Sequence, residues 1–261
     1  MNAGAVRPPL VAVAHGSRDP RSAATIGELV DVARRLAPDV DIRPSFLDLS
    51  NPPVGEVLGQ LHDLGHRRVV TTPLLLGSAY HARTDLPAIV AEVTGTRPQL
   101  AVATTDVLGI DPRLEDVALD RLRATGADPA DEELGIVLAA VGSSHPPANE
   151  AVVQMAQRWQ RDLGGASVIA AFATATSPDV PAAVARLRAR GARKIAVASW
   201  FLAPGLLPDR VEQLATQAAP DVRIAAPLGT DPRVAAVLLD RYEAASGHRQ
   251  HTAQASARVS A

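Results

Sequence analysis

The chain repeats itself, and this repeat constrains the fold more than any other feature of the sequence. AVAHGSRDP from Ala12 parallels LAAVGSSHP from Leu138, so His15-Gly16-Ser17 falls on Val141-Gly142-Ser143, 126 positions later. PSFLDLSNP (residues 44–52) falls on AAFATATSP (170–178) at the same offset, with Phe46 over Phe172 and Pro52 over Pro178. LGHRRVVTTPLLL (64–76) falls likewise on RGARKIAVASWFL (190–202). After a shortening in the second copy, LGIDPRLEDVALDRL (108–122) matches LGTDPRVAAVLLDRY (228–242). Four matched blocks in one order mean tandem duplication. A chain of 261 residues is long enough for two small domains, expected over 1–125 and 134–245.

Each copy alternates strand and helix. Residues 10–14 form a short apolar run that ends in a Gly-Ser turn. Residues 21–36 carry apolar side chains at helical spacing (Ala24, Ile26, Leu29, Val32, Ala33, Leu36). Residues 42–47 and 68–76 read as strands and 53–64 as a helix, started by Pro52-Pro53 and stopped by Gly65. A helix over 86–93, a strand over 100–104 and a helix over 113–123 complete the copy. Near-continuous apolar strands joined by helices predict an α/β fold. Each domain should hold a roughly four-stranded parallel sheet flanked by helices on both faces. Ligands in such sheets sit beyond the carboxyl ends of the strands, where His15, Asp48 and the 77–85 loop fall. Residues 246–261 lack periodicity and bulky apolar side chains and read as a disordered tail; His248 and His251 within it read as solvated rather than metal-binding.

Composition removes several chemistries. There is no cysteine, which excludes disulfides, thiolate nucleophiles and cysteine-ligated metals. A net charge of −2 gives no basic surplus, so no nucleic-acid partner is expected. The amino-terminal apolar run is too short for a signal peptide or a membrane span, and a cytoplasmic protein with no membrane partner is expected.

The copies differ where chemistry would sit. His15 is replaced by Val141, Asp48 by Thr174, and His81 by Leu207. Either histidine alone reads as a packed core residue. The pair is harder to explain so, because both follow strand ends and both become aliphatic, as suits positions that stay buried with nothing to bind. Two neutral imidazoles facing one crevice suit a borderline divalent ion such as Co²⁺, Fe²⁺, Ni²⁺ or Zn²⁺. Two such ligands and one carboxylate leave coordination positions open.

HGSRDPRS, FLDLSNP and PLLLGSAYHARTDLP, in this order and spacing, resemble the sirohydrochlorin chelatases, the ATP-independent class II chelatases of cobalamin and sirohaem synthesis. The resemblance covers roughly residues 10–245, as a double-length form with two fused chelatase-like domains. It implies insertion of Co²⁺ or Fe²⁺ into sirohydrochlorin with loss of two protons. On this resemblance His15 and His81 match the two active-site histidines, which bind the metal and accept ring protons. Asp48 stands where the family commonly has a glutamate. The second domain would be catalytically silent and close one side of the cleft, since Val141 and Leu207 cannot bind metal. No nucleotide is needed, and no G-x-x-x-x-G-K-[ST] loop is present.

The eight carboxylates of sirohydrochlorin call for arginines at the mouth, and Arg18 and Arg83 flank the histidines. Gly16 and Ser17 shape a tight turn that offers backbone N–H groups to an anion. Tyr80 is placed to stack on the macrocycle or to stand as a rim aromatic. Asp85 reads as a helix N-cap, and His62 and His66 as helix-end residues favoured by the dipole. His145 aligns with Asp19 rather than His15. Trp200 and Phe201 are expected to pack between the domains. One chain builds the whole cleft, which is compatible with a monomer. Nickel or another tetrapyrrole, a carrier of metal or tetrapyrrole without turnover, and a sugar-phosphate or nucleotide enzyme are the competing readings. The last of these lacks a G-x-G-x-x-G turn. The sequence does not choose between cobalt and iron.

Overall fold

The alternation folds into two parallel sheets. The computed structural model describes residues 7–77, 84–174 and 176–247. The first copy forms β1 (Leu10–Ala14), α1 (Pro20–Leu36), β2 (Ile42–Phe46), α2 (Val54–Asp63), β3 (Arg68–Pro73), α3 (Leu86–Thr96), β4 (Ala101–Thr104) and α4 (Pro112–Ala124). The second forms β5 (Leu134–Ala140), α5 (Pro146–Asp162), β6 (Ser167–Phe172), α6 (Val180–Ala189), β7 (Lys194–Trp200), α7 (Leu206–Ala218), β8 (Arg223–Ile224) and α8 (Pro232–Ser246). Strand orders are β2-β1-β3-β4 and β6-β5-β7-β8, with every pairing parallel. In each sheet the first strand of the copy lies inside, so the chain reverses its winding beside it. That reversal opens a crevice at the carboxyl ends of β1 and β5.

Strand alternation explains why both central strands are apolar throughout. Leu10, Ala12 and Ala14 of β1 join one large core, while Val11 and Val13 join another beneath α2 and α3. Leu134, Ile136, Leu138 and Ala140 of β5 enter the same large core, and Val137 and Ala139 face α6 and α7. The large core is therefore shared by both copies, and each copy keeps a smaller outer core of its own.

The shared core arises because the last helix of each copy crosses to the other. α4 packs against β7, and α8 packs against β3 and α1. Tyr242 anchors α8: its ring is fully buried and its hydroxyl donates to the Pro8 carbonyl at 2.8 Å, with the Arg7 guanidinium 5.2 Å from the ring centroid. Arg113 on α4 pairs with Asp240 on α8 at 2.8 Å, and Arg233 on α8 pairs with Asp120 on α4 at 2.8 Å. This reciprocity is the mark of a pseudo-two-fold arrangement within one chain.

Three local expectations change. Ser246 does not open the tail; it is the buried last residue of α8, and Gly247 ends the helix in the left-handed region at φ +78°. Asp85 is itself helical and makes no side-chain cap to α3. Trp200 lies in the shared core as expected, but Phe201 lies in the outer core of the second copy, because consecutive residues leave opposite faces. Among the described residues no helix is long and apolar enough to cross a membrane.

Candidate active site

The site is built where strand pairing runs past the ends of β1 and β2. Leu47 N donates to Ala14 O and Asp48 N to His15 O, both at 2.9 Å, which sets His15 and Asp48 side by side at the carboxyl edge of the sheet. Gly16 then turns the chain toward α1 at φ +96°. A Cβ there would stand 1.7 Å from Asp48 O, so only glycine permits the approach. His15 is half-buried, with Nδ1 3.2 Å from Gly16 O.

Asp48 is exposed, and its Oδ1 accepts the Leu49 amide at 2.8 Å. Leu49 lies at φ +59°, a region that costs a bulky residue roughly 1 kcal/mol or more. The turn after β1 is tied across to this loop. Ser17 N donates to Ser50 Oγ at 3.1 Å, and Ser50 Oγ donates to Ser17 O at 3.0 Å. The Ser17 amide is thus occupied, which corrects its expected availability to an anion. The Ser17 hydroxyl accepts from Asp19 N at 3.1 Å.

Asp19 caps α1 by accepting Arg21 N at 3.0 Å. Hydrogen bonds from the Arg21 side chain hold the Asp19 carboxyl below its ordinary range. The same guanidinium reaches Asp209 on α7 at 2.5 Å. Gly205, just before α7, packs within reach of Ser17 and Asp19, and Gly77, after β3, packs against Ala148 on α5. The loop after the third strand of each copy therefore meets the start of the first helix of the other. Arg18 is exposed on the β1–α1 turn. His81, Arg83 and Tyr80 lie outside the described residues. Among the described residues no three His, Asp, Glu or Cys side chains converge as a metal cluster.

The second copy repeats the backbone and omits the chemistry. Ala173 N donates to Ala140 O and Thr174 N to Val141 O, both at 2.9 Å. Gly142 turns at φ +86°, and a Cβ there would stand 2.1 Å from Thr174 O. Thr174 Oγ1 folds back onto Val141 O at 2.9 Å, where Asp48 instead presents a carboxylate. Leu207 is half-buried against the outer core, as expected of an aliphatic replacement. Val141 is not: it is 44 % exposed, because the residue that follows the last core position of β5 has left the sheet interior. His145 sits at the start of α5 without capping it, and its amide donates to Ser143 Oγ at 3.0 Å. His62, on α2, lies 3.2 Å from Asp63 Oδ1 and away from this edge.

The CbiX family model matches residues 9–125 and again 135–245. The chain belongs to the CbiX family. Two curated relatives come from Priestia megaterium. Sirohydrochlorin ferrochelatase is 26 % identical over 211 residues, 79 % of each chain. Sirohydrochlorin cobaltochelatase is 25 % identical over 243 residues, 88 % of this chain and 78 % of the relative. A solved structure of SirB from Bacillus subtilis with Fe³⁺ superposes with a TM-score of 0.78 at 22 % identity, covering 94 % of this chain and 98 % of that one, which shows the same fold. This double match of one family model to the two halves is the counterpart of the repeat read from the sequence.

Proposed function

We propose that the chain inserts Co²⁺ or Fe²⁺ into sirohydrochlorin, without nucleotide, forming metal–nitrogen bonds and releasing two protons. One observation carries this reading. His15 and the exposed Asp48 are joined by a backbone hydrogen bond at the carboxyl edge of the first sheet, on a frame whose second copy carries neither an imidazole nor a carboxylate there. The similarity to sirohydrochlorin ferrochelatase and cobaltochelatase supports the reaction class.

Each residue has a chemical task. A neutral imidazole can either ligate a borderline metal or accept a proton. His15 and His81 divide these two tasks between them. Asp48 keeps one carboxylate oxygen outside its bond to the Leu49 amide, available to the incoming cation or to a ring proton. Its side chain is one methylene shorter than the glutamate it replaces, and its place on the turn beside His15 brings it to the same edge. Arg18 and Arg83 meet the carboxylates of the ring, and Tyr80 lies against the macrocycle. The second half closes the opposite wall, so one chain makes a complete cleft and acts as a monomer in the cytoplasm, with no nucleic acid or membrane partner.

The test is anaerobic incubation of the protein with sirohydrochlorin and Co²⁺ or Fe²⁺, followed by absorbance. Acceleration over the uncatalysed rate with at least one ion is expected; none with either ion defeats the reading.

A further inference from the structure

In both copies the turn after the first strand has one amide and one carbonyl to satisfy, and the two copies satisfy them differently. In the second copy both go to Asn149 in the first turn of α5: Ser143 N donates to Asn149 Oδ1 at 2.8 Å, and Asn149 Nδ2 donates to Ser143 O at 2.6 Å. That tie is internal to one turn and its own helix. In the first copy the equivalent groups of Ser17 go to Ser50, on the loop that carries Asp48. The residue of α1 aligned with Asn149 is Ala23, and the residue aligned with Ser50 is Thr176. The copy with the imidazole and carboxylate thus uses a cross-loop tie, and the copy without them uses a local one.

We infer that Ser50 is a positioning residue: its hydroxyl holds the His15 turn and the Asp48 loop at a fixed spacing, so that ligand and proton acceptor act on one point. The need is physical. Asp48 is exposed, and among the described residues its side chain is held by the amide of its own neighbour Leu49. Ser50 N also donates to Asp48 O at 2.8 Å, which makes the 48–50 loop a closed unit that moves with Ser50. A displacement of about 1 Å at such a pair is enough for a loss of order 10²-fold. A tie that served the turn alone could come from α1, as it does from α5. This inference rests on the chelatase reading of the site.

The experiment grafts the second copy's solution onto the first. Three variants are compared with the parent protein: Ser50→Ala, Ser50→Thr, and Ser50→Ala with Ala23→Asn. Rates of Co²⁺ insertion into sirohydrochlorin are measured per folded molecule, well below every melting midpoint. Ser50→Ala is expected to lower kcat at least about tenfold. Ser50→Thr, which keeps the hydroxyl, is expected to restore it. The double variant is expected to remain at least tenfold down, whether or not it regains thermal stability, because its turn is tied to α1 rather than to the Asp48 loop. A purely structural role predicts the reverse, with kcat in the double variant returning along with stability. That result, or a Ser50→Ala kcat within twofold of the parent, overturns the inference and leaves the chelatase reading standing. Absence of insertion by the parent protein overturns both.

Discussion

The two turns that leave β1 and β5 are the same backbone carrying different chemistry. Each reaches across to the next strand through paired 2.9 Å hydrogen bonds, each bends at a glycine with positive φ, and each glycine lies against a carbonyl of the neighbouring loop. Both neighbouring loops hold a cis prolyl bond, at Asn51–Pro52 and Ser177–Pro178. On this common frame one copy displays His15 and Asp48, and the other Val141 and Thr174. Duplication gives an internal control that a single domain lacks. What both copies keep is needed to fold the strand end, and what only one keeps is a candidate for chemistry.

The comparison breaks most sharply at the histidines. His15→Ala and His81→Ala are each expected to slow metal insertion by at least about 10²-fold, the usual size of a proton-transfer contribution. Val141→Ala, at the matching position, should leave kcat unchanged within about twofold. A large kcat loss at Val141 would place the chemistry in the wrong half. The next test is on the glycines. Gly16→Ala and Gly142→Ala should each destabilise the fold by about 2 kcal/mol or more in urea denaturation, because both force a Cβ into a carbonyl at positive φ. Only Gly16→Ala should also cut the rate per folded molecule, since the carbonyl it displaces belongs to Asp48. Equal rate losses in both variants would mean that the turn, not the pair it carries, sets the rate.

Much of this was legible in the sequence, for reasons that also mark its limits. Apolar runs such as 10–14 announce a strand buried on both faces, and repeating them at a fixed offset announces a second sheet. The adjacency of His15 and Asp48 followed from placing both at strand ends in one copy. The crossing of α4 and α8 did not follow, because their periodicity gives the width of a buried stripe and not the sheet it covers. The exposure of Val141 is not legible, because hydrophobicity signals burial inside a strand and ceases to do so one residue past its end. Ser50 carried no signal at all: a hydroxyl that satisfies a turn 33 residues away looks like any loop serine until the partner is seen. Its counterpart Asn149 satisfies the same groups from six residues away, so no fixed spacing could have found either.

The smallest effect separates the helix starts. α1, α4 and α8 begin with Asp-Pro-Arg, whereas α5 begins with His-Pro-Pro and has no side-chain cap. In α4 and α8 the cap aspartate accepts its arginine's amide at 3.0 Å and also binds that guanidinium. Those guanidinium hydrogen bonds hold Asp111 and Asp231 below the ordinary carboxylate range and raise Arg113 and Arg233 above theirs. A carboxyl depressed by folding stabilises the native state above its unfolded pKa near 4, and that stability is lost as pH falls through the folded value. Asp111→Ala and Asp231→Ala should each cost about 1 kcal/mol at pH 7. Asp111→Asn and Asp231→Asn keep a cap acceptor but not the charge, so they should cost less and flatten the fall in stability below pH 4. Denaturation midpoints across pH 2–7 check the order, and an acid limb unchanged in the asparagine variants would show that the caps act without their charge.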